Sequence, residues 1–203
     1  MKDIRLIVFI KNKILSKVKT RLAKDIGDEE ALSAYTHLLQ QTTKLCKSLE
    51  SIHISVYYDQ FIEQEDEWTG ICSDRFVQEG EDLGERMYAA FKDGEVNFTK
   101  QLIIGSDCPY LSSRHIHSAV QKLDEVDAVI GPACDGGYYL LGLKKIKKQL
   151  FENISWSTDQ VLKQTVACLH QHHYQVELLE ALSDIDTIQD WNDYMTSRQV
   201  PKF

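Results

Sequence analysis

Gln101-Leu-Ile-Ile-Gly-Ser-Asp-Cys-Pro-Tyr-Leu111 predicts a buried strand that is followed by an acidic turn. The apolar run at 102–104 is short, partly β-branched and closed by Gly105, which is typical of a central strand covered on both faces. Pro109 has no N–H group to donate to a sheet, so the strand must end before it. Ligands of open α/β sheets lie outside the carboxyl ends of the strands, so Asp107 is offered to a ligand. A turn that caps the next helix explains Asp107 equally well on local grounds.

Strands and helices alternate on either side of this stretch. Apolar or alternating runs predict further strands at 4–10, 52–58, 128–130, 136–143 and 176–179. Apolar residues at helical spacing, with Asp28, Asp82 and Ser157 as caps, predict helices that begin near 28, 83, 112, 157 and 187. The alternation implies right-handed crossovers between mostly parallel strands. We therefore expect an α/β fold, namely a three-layer sandwich around a Rossmann-like, mostly parallel sheet.

Composition limits the class of protein. A chain of 203 residues with 43% hydrophobic residues can bury one sizeable core, and without a linker or repeat we expect 1–203 to form a single domain. The amino-terminal apolar run is too short to span a bilayer and no cleavage site follows it, so we expect a soluble, cytoplasmic protein. A net charge of −8 argues against nucleic acid or an anionic membrane as partner. The five cysteines are widely spaced, which favours reduced thiols over disulfides or a zinc site.

The loop after the first strand is basic although the protein is acidic. No acid lies between Asp3 and Asp25, whereas six cations follow the first strand in that interval: Lys11, Lys13, Lys17, Lys19, Arg21 and Lys24. Cations gathered at the carboxyl end of a strand favour an anion site, where Arg21 could hold a phosphate through two hydrogen bonds. A solvated loop is the alternative.

Two further segments carry carboxylates on predicted loops. Asp135 precedes a glycine pair between two strands, where a plain Asp-Gly turn is an equally good explanation. Asp184-Ile-Asp-Thr187 brings two acids to the start of the last helix, although a cap needs only one of them. If this segment and Asp107 share one sheet edge, their oxygens could hold a Mg²⁺ or Mn²⁺ ion that bridges a diphosphate.

Other features favour ordinary structural roles. Lys144 to Lys148 is interpreted as a surface turn, His170 to His173 as a polar helix end, and Trp156 as a packing residue. The chain has no Walker A, Gly-x-Gly-x-x-Gly or Gly-x-Ser-x-Gly sequence, so P-loop, dinucleotide and hydrolase functions lose their usual support.

Seven motifs in chain order nevertheless form a recognisable set. They are Phe9-Ile-Lys11, Val18-Lys-Thr-Arg-Leu22, Gln78 with Asp82-Leu-Gly-Glu-Arg-Met87, Ile104-Gly-Ser-Asp-Cys-Pro109, Gly131-Pro with Asp135-Gly-Gly-Tyr-Tyr-Leu140, Trp156-Ser-Thr158 and Asp184-Ile-Asp-Thr187. Together they resemble a bacterial family of glycosyltransferase-A-like proteins, often labelled radical-SAM/selenodomain-associated transferases. The family belongs to the nucleotide-diphospho-sugar transferase superfamily, and the resemblance covers nearly the whole chain.

The resemblance implies a nucleotide-activated donor and a divalent cation, Mg²⁺ or Mn²⁺. It assigns roles to nine residues. Lys11, Lys19 and Arg21 would meet the donor phosphates, and Gln78, Asp82 and Gly84 would lie near the nucleotide or sugar. Asp107 and Asp186 would bind the metal, and Asp135 would face the acceptor as a general base.

One departure from the family pattern concerns the first loop. Relatives tend to carry prolines and a glycine before Val-Lys-Thr-Arg-Leu, whereas this chain has Lys13-Ile-Leu-Ser-Lys17. Without glycine the backbone wraps a phosphate less closely, so donor binding is expected to depend more on lysine charge. The departure also leaves room for a member that has lost catalysis.

These observations order three functions. The first is a metal-dependent glycosyltransferase that moves a sugar from a nucleoside-diphosphate sugar to a small acceptor. The second, on the same fold, is a nucleotidyltransferase similar to phospholactate guanylyltransferases, which releases pyrophosphate. The third is a nucleotide-binding module without turnover. The sequence names neither the base, the sugar and the acceptor nor the oligomeric state.

Overall fold

The computed structural model describes residues 3–199, and the first two and last four residues of the predicted domain lie outside this range. Seven strands form one sheet. They are Ile4–Ile10 (β1), His53–Tyr58 (β2), Asp74–Val77 (β3), Lys100–Ile104 (β4), Ala128–Pro132 (β5), Tyr138–Leu143 (β6) and Val176–Leu178 (β7). Across the sheet their order is β3-β2-β1-β4-β6-β5-β7.

Every pairing in the sheet is parallel except those of β6, which runs antiparallel to both β4 and β5. Connection length explains the exception. Only the short turn at 133–137 joins β5 to β6, and such a turn permits only an antiparallel pair, whereas parallel neighbours need a long crossover. The prediction of a mostly parallel sheet is confirmed.

Among residues 3–199, six helices flank the sheet. They are Thr20–Ile26 (α1), Asp28–Lys47 (α2), Leu83–Gly94 (α3), Ser113–Glu125 (α4), Val161–Gln171 (α5) and Ile188–Gln199 (α6), with a 3₁₀ turn at Lys148–Phe151. The α2 helix carries three acids in its first turn and two lysines in its last, which complements its dipole.

Two apolar clusters lie on opposite faces of the sheet. On one face Leu6 and Leu102 pack with α2 and α4, and on the other Ile7 and Ile103 pack with α3 and α5. Neighbouring residues of a strand point to opposite faces, so both faces of β1 and β4 are buried. The predicted three-layer sandwich is confirmed.

Three local predictions were wrong. The segment after the first strand contains the short helix α1, which lacks a capping side chain and therefore left no signal. Asp28 does not cap α2, because Gly27 with φ of 90° separates the two helices and Asp28 instead accepts a hydrogen bond from Ser16. Ser157 does not cap α5, since that helix begins only at Val161.

Within residues 3–199, none of the helices has the length and apolar character needed to cross a membrane.

Candidate active site

Lys19 is a buried cation at the carboxyl edge of the sheet. It lies in the left-handed region with φ of 47°, immediately before α1, and only 4% of its side chain is exposed. Its Nζ lies 2.7 Å from Asp107 Oδ1 and 3.3 Å from Asp186 Oδ1, and it donates a hydrogen bond to the carbonyl of Ile185 at 2.6 Å. Residues from three distant parts of the chain therefore meet at one ammonium group.

The two carboxylates reach Lys19 from neighbouring segments. Asp107 follows the end of β4, and its carbonyl accepts a hydrogen bond of 2.9 Å from the backbone N–H of Ile185. That bond holds the segment before α6 against the end of β4. The side chains of Asp107 and Asp186 remain 45% and 39% exposed, so both present oxygen to solvent while the ammonium between them is covered.

The charge state of Lys19 follows from these contacts. Burial by itself lowers the pKa of Lys19, but the carboxylates of Asp107 and Asp186 outweigh it and hold the pKa above its ordinary value. Lys19 is therefore an ammonium at neutral pH. A buried charge of this kind is tolerated only where opposite charges compensate its lost hydration.

Asp184 is a third carboxylate at this edge, and sequence analysis assigned no separate role to it. Its Oδ1 is buried without a hydrogen-bond partner. Burial, then the charges of Asp107 and Asp135, raise the pKa of Asp184 to about 7. Asp184 and burial together also raise the pKa of the neighbouring Cys108 thiol. The signal in the sequence was Asp-Ile-Asp, because the two acids flank Ile185, which is fully buried.

Asp135 lies near this group but on the exposed side. Its Oδ1 accepts a hydrogen bond of 2.9 Å from the N–H of Gly137, which is the local turn that the Asp-Gly sequence allows. Gly136 has φ of 90°, and a Cβ there would lie 2.4 Å from the carbonyl oxygen of Asp159. The backbone of Asp159 thus packs directly against the turn, and only glycine fits at position 136.

Arg21 and Lys11 flank the buried ammonium. Arg21 Nη1 lies 3.5 Å from Asp186 Oδ2, and 68% of the Arg21 side chain is exposed. The Lys11 side chain is exposed too, while its backbone N–H and carbonyl both bond to the hydroxyl of Tyr35. The same hydroxyl lies 3.3 Å from Ser106 Oγ, so Tyr35 joins the first loop to the end of β4.

Gln78, Asp82 and Gly84 have structural partners of their own. Gln78 Nε2 donates to two strand-end carbonyls, at Ile10 and Tyr57, each at 3.1 Å. Asp82 caps α3, because its Oδ1 accepts a hydrogen bond of 2.8 Å from the backbone N–H of Glu85 in the first helical turn. A Cβ at Gly84 would lie 2.6 Å from Trp156 Nε1, so this glycine permits close packing of an indole. Their predicted contacts with nucleotide or sugar stay predictions.

Asn12 holds the first loop in place, and sequence reasoning missed it. Only 2% of Asn12 is exposed. Its Oδ1 accepts hydrogen bonds from the backbone N–H groups of Gln60 and Phe61, and its Nδ2 donates to the Phe61 carbonyl and Glu63 Oε1. A single asparagine in a basic loop carries no distinguishing pattern. Its partners lie about 50 residues away, beyond the reach of local spacing.

The same loop turns without glycine. Ser16 and Lys19 adopt left-handed conformations, with φ of 62° and 47°. Such conformations are costly for residues with a side chain, and they tend to be retained at functional sites. The missing glycine is therefore replaced by two strained residues, and one of them is the residue that delivers the ammonium.

The donor atoms at this edge fit a hard divalent cation. Asp107 and Asp186 present oxygen to solvent, and the buried Oδ1 of Asp184 lacks a partner. Carboxylate oxygens are the ligands that Mg²⁺ and Mn²⁺ prefer. No group of three His, Cys, Asp or Glu side chains in residues 3–199 is already arranged around an ion position. The ammonium of Lys19 occupies the place between the two exposed carboxylates.

A cavity of 330 Å³ lies beside Asp82, Tyr88, Phe151 and Trp156, and another of 460 Å³ runs along α2. Neither is lined by the residues around Lys19. We place the candidate site at the Lys19 edge, because charged groups from separate loops converge there.

Comparison with known proteins identifies the relatives of this chain. A family model described as "Uncharacterized protein conserved in bacteria (DUF2064)" matches residues 42–158. The chain is 26% identical to a 2-phospho-L-lactate guanylyltransferase from Methanocaldococcus sp. (strain FS406-22), over 68% of this chain and 58% of the relative. The match thus spans about three fifths of that curated relative.

Solved structures share the fold. A candidate nucleotide-diphospho-sugar transferase from Desulfovibrio desulfuricans G20 is 28% identical with a TM-score of 0.89, covering 100% of this chain and 90% of its own. The Mycobacterium tuberculosis H37Rv protein Rv0371c, solved with manganese, is 12% identical with a TM-score of 0.60, over 96% and 99% of the two chains. At that identity the second likeness shows the fold alone. The guanylyltransferase and the D. desulfuricans protein are both described as transferases.

Proposed function

We propose nucleotidyl transfer as the function of this chain, which belongs to the DUF2064 family of bacterial proteins. The substrates would be a nucleoside triphosphate and a small phosphorylated acceptor, and pyrophosphate would be released. The observation that carries the proposal is the Lys19 ammonium, held between Asp107 and Asp186 at the carboxyl edge of the sheet. The ammonium would contact the phosphates of a nucleoside triphosphate, and the two carboxylates would bind the divalent cation that accompanies it.

The proposed reaction is a single displacement at the α-phosphorus. An oxygen of the acceptor phosphate forms a bond to that phosphorus as the bond to the oxygen bridging the α- and β-phosphates breaks, and pyrophosphate leaves with the electron pair. Negative charge grows on the leaving pyrophosphate, and Lys19 and Arg21 would stabilise it. Their positions at the end of the first loop suit that role.

A divalent cation bound by Asp107 and Asp186 would neutralise phosphate charge and orient the α-phosphate for attack. The first loop, held by Asn12 and Tyr35, would keep Lys19 and Arg21 in position along the triphosphate.

The acceptor argues for nucleotidyl transfer over glycosyl transfer. A phosphate acceptor is already ionised near neutral pH, so it needs no general base. A sugar acceptor would need one, and Asp135, the predicted base, is exposed and already accepts a hydrogen bond from Gly137. The guanylyltransferase relative supports the same choice.

Glycosyl transfer is the second candidate. It is favoured by the full-length structural relative, which is described as a candidate nucleotide-diphospho-sugar transferase. Two finer statements stay predictions: membership of the radical-SAM/selenodomain-associated type, and the action of 1–203 as one nucleotide-binding domain.

Product analysis separates the two candidates. The protein is incubated with Mg²⁺ or Mn²⁺ and each nucleoside triphosphate, together with phosphorylated three-carbon acids that include 2-phospho-L-lactate. Parallel reactions contain nucleotide sugars and unphosphorylated acceptors. We expect pyrophosphate release that depends on the phosphorylated acceptor and is lost in Asp107→Asn. Acceptor-dependent release of a nucleoside diphosphate from a nucleotide sugar would instead select glycosyl transfer.

A further inference from the structure

The Lys19 ammonium occupies the place that a divalent cation needs. It sits between oxygens of Asp107 and Asp186, at 2.7 Å and 3.3 Å, and both of these oxygens belong to the carboxylates predicted to bind metal. A divalent ion that coordinates both carboxylates would lie within a few ångströms of the ammonium. Two positive charges that close repel each other strongly in a partly buried site.

We infer that Lys19 is an internal counter-ion, and that its ammonium and a divalent cation are alternative occupants of the Asp107–Asp186 pair. Free metal then binds weakly, because it must displace the ammonium. The metal binds tightly when it arrives with a nucleotide, because the phosphates give the displaced ammonium a new partner. The site would therefore accept the metal–nucleotide complex in preference to either component alone.

Burial explains why the ammonium stays in place without ligand. Lys19 has little exposed surface, and its three contacts, two carboxylates and the carbonyl of Ile185, satisfy the three donors of the group.

Mobility explains how the ammonium could leave. The partners of Lys19 are partly exposed, so a ligand can approach them from solvent. Rotation about the bonds of its four-carbon side chain can move the ammonium of Lys19 without moving the backbone. Arg21, 3.5 Å from Asp186 and mostly exposed, would stay beside the incoming phosphate.

A second property of the cluster also points to cation exchange. Asp184 Oδ1 is buried without a hydrogen-bond partner, two residues before Asp186. One ammonium contacts two carboxylates, those of Asp107 and Asp186. A divalent cation would leave the group better compensated than Lys19 does.

Mn²⁺ binding without nucleotide is the direct test. Isothermal titration with Mn²⁺ compares the wild-type chain with Lys19→Met, which keeps the length of the side chain and removes its charge. Lys17→Met is the matched control, because Lys17 lies two residues away on the same loop and is exposed. We expect Lys19→Met to bind Mn²⁺ about tenfold or more tightly than wild type, since the competing charge is gone. The control should change by about twofold at most, because exposed charges are screened.

Equal or weaker Mn²⁺ binding by Lys19→Met would overturn the inference, since the ammonium would then not compete for the site. If that variant does not fold, the wild-type chain answers the same question. Nitrogen NMR of the lysine ammonium groups should leave the Lys19 signal unchanged with Mg²⁺ alone and shift it with Mg²⁺ and a triphosphate together. A shift of the Lys19 signal with Mg²⁺ alone would contradict the inference.

The inference rests on the proposed function only where phosphate is named as the new partner of Lys19. The two can fail separately. Tighter Mn²⁺ binding by Lys19→Met without any pyrophosphate release would sustain the counter-ion and reject nucleotidyl transfer. Pyrophosphate release by the wild-type chain, together with unchanged Mn²⁺ binding by Lys19→Met, would sustain nucleotidyl transfer and reject the counter-ion.

Discussion

Two buried cations lie at opposite ends of the sheet, and their partners differ in kind. Arg5, 2% exposed near the start of β1, donates to neutral acceptors: Ser55 Oγ, Ala90 O, Gln101 Oε1 and Tyr57 OH. The rings of Tyr57, Phe76 and Phe98 surround its guanidinium. Lys19, at the carboxyl end, is held mainly by carboxylates that face solvent.

The difference separates a structural charge from an exchangeable one. The side chains and carbonyl that accept from Arg5 are buried in the core, and Asp93 is linked to Arg5 only through the Tyr57 hydroxyl, which donates to it at 2.9 Å. Nothing from solvent can replace them. Partners of Lys19 are open to a ligand, so another cation can take its place. Burial of a charge therefore does not identify a functional site unless its partners are accessible.

The largest effect is expected from Arg5→Met. Removal of the guanidinium leaves several buried acceptors without donors, and we expect a loss of about 4 kcal/mol in the free energy of unfolding. Urea denaturation measures it. Arg114→Met is the control, since 86% of that side chain is exposed, and it should cost about 0.5 kcal/mol or less. If Arg5→Met lost as little free energy of unfolding as the control, Arg5 would not be the structural charge that distinguishes its end of the sheet from the Lys19 end.

Lys19→Met should act on turnover more than on stability. Loss of a cation that stabilises the leaving pyrophosphate is expected to lower kcat/KM for pyrophosphate release about 100-fold, or about 2.7 kcal/mol. Steady-state kinetics and denaturation of the same sample compare the two effects. If stability falls as far as in Arg5→Met while kcat/KM is unchanged, the role of Lys19 is structural and not catalytic.

Asp184→Asn tests the electrostatics beside Lys19. The pKa of Asp184 is raised from 3.8 to about 7 in the folded chain, so the folded chain keeps this proton to a higher pH than the unfolded chain does. The free energy of unfolding therefore falls as pH rises between these two pKa values. The variant should avoid this loss and gain on the order of 2 kcal/mol over wild type between pH 5 and pH 8. Urea denaturation in EDTA at both pH values gives the difference. Parallel pH profiles for the two proteins would contradict the assignment.

Asp190→Asn should show the opposite sign with the smallest size. Burial alone raises the pKa of Asp190, but hydrogen bonds from Thr187 and from the backbone of Asp186 outweigh it and lower the pKa. The ionised form therefore stabilises the start of α6 at neutral pH, and this contribution is lost as pH falls through the lowered pKa. We expect the variant to lose about 1 kcal/mol at pH 7, as for a removed helix cap. Its deficit should shrink in acid, and a deficit that grows there would refute the argument.

Local patterns predicted most of the sheet and helices. The apolar run at 102–104 became β4, and the Asp82 capping signal correctly marked the start of α3. Prediction failed where the signal was short or shared: α1 has no capping side chain, and β3 is a four-residue edge strand whose burial is only partial. Such segments take their conformation from neighbours, because their own propensities are too weak to decide it.

The residues of the candidate site also differ in how clearly the sequence indicated them. Lys19, Asp107 and Asp186 carried signals of charge and position along the chain, and the structure gathers them. Asn12 carried almost none, and Asp184 carried only the Asp-Ile-Asp pattern that it shares with Asp186. Their importance comes from burial, and burial depends on which distant segments cover a side chain.

Sequence alone therefore specifies most of the strands and helices of this protein and the charges at their ends, because capping, periodicity and loop composition act over a few residues. Tertiary structure alone decides that Lys19, and not its exposed neighbour Lys17, becomes the buried ammonium. It also decides which acids surround that ammonium, since Lys19 and Asp186 stand 167 residues apart. The physical reason is that desolvation and Coulomb interaction act through space, and only the folded chain sets those distances.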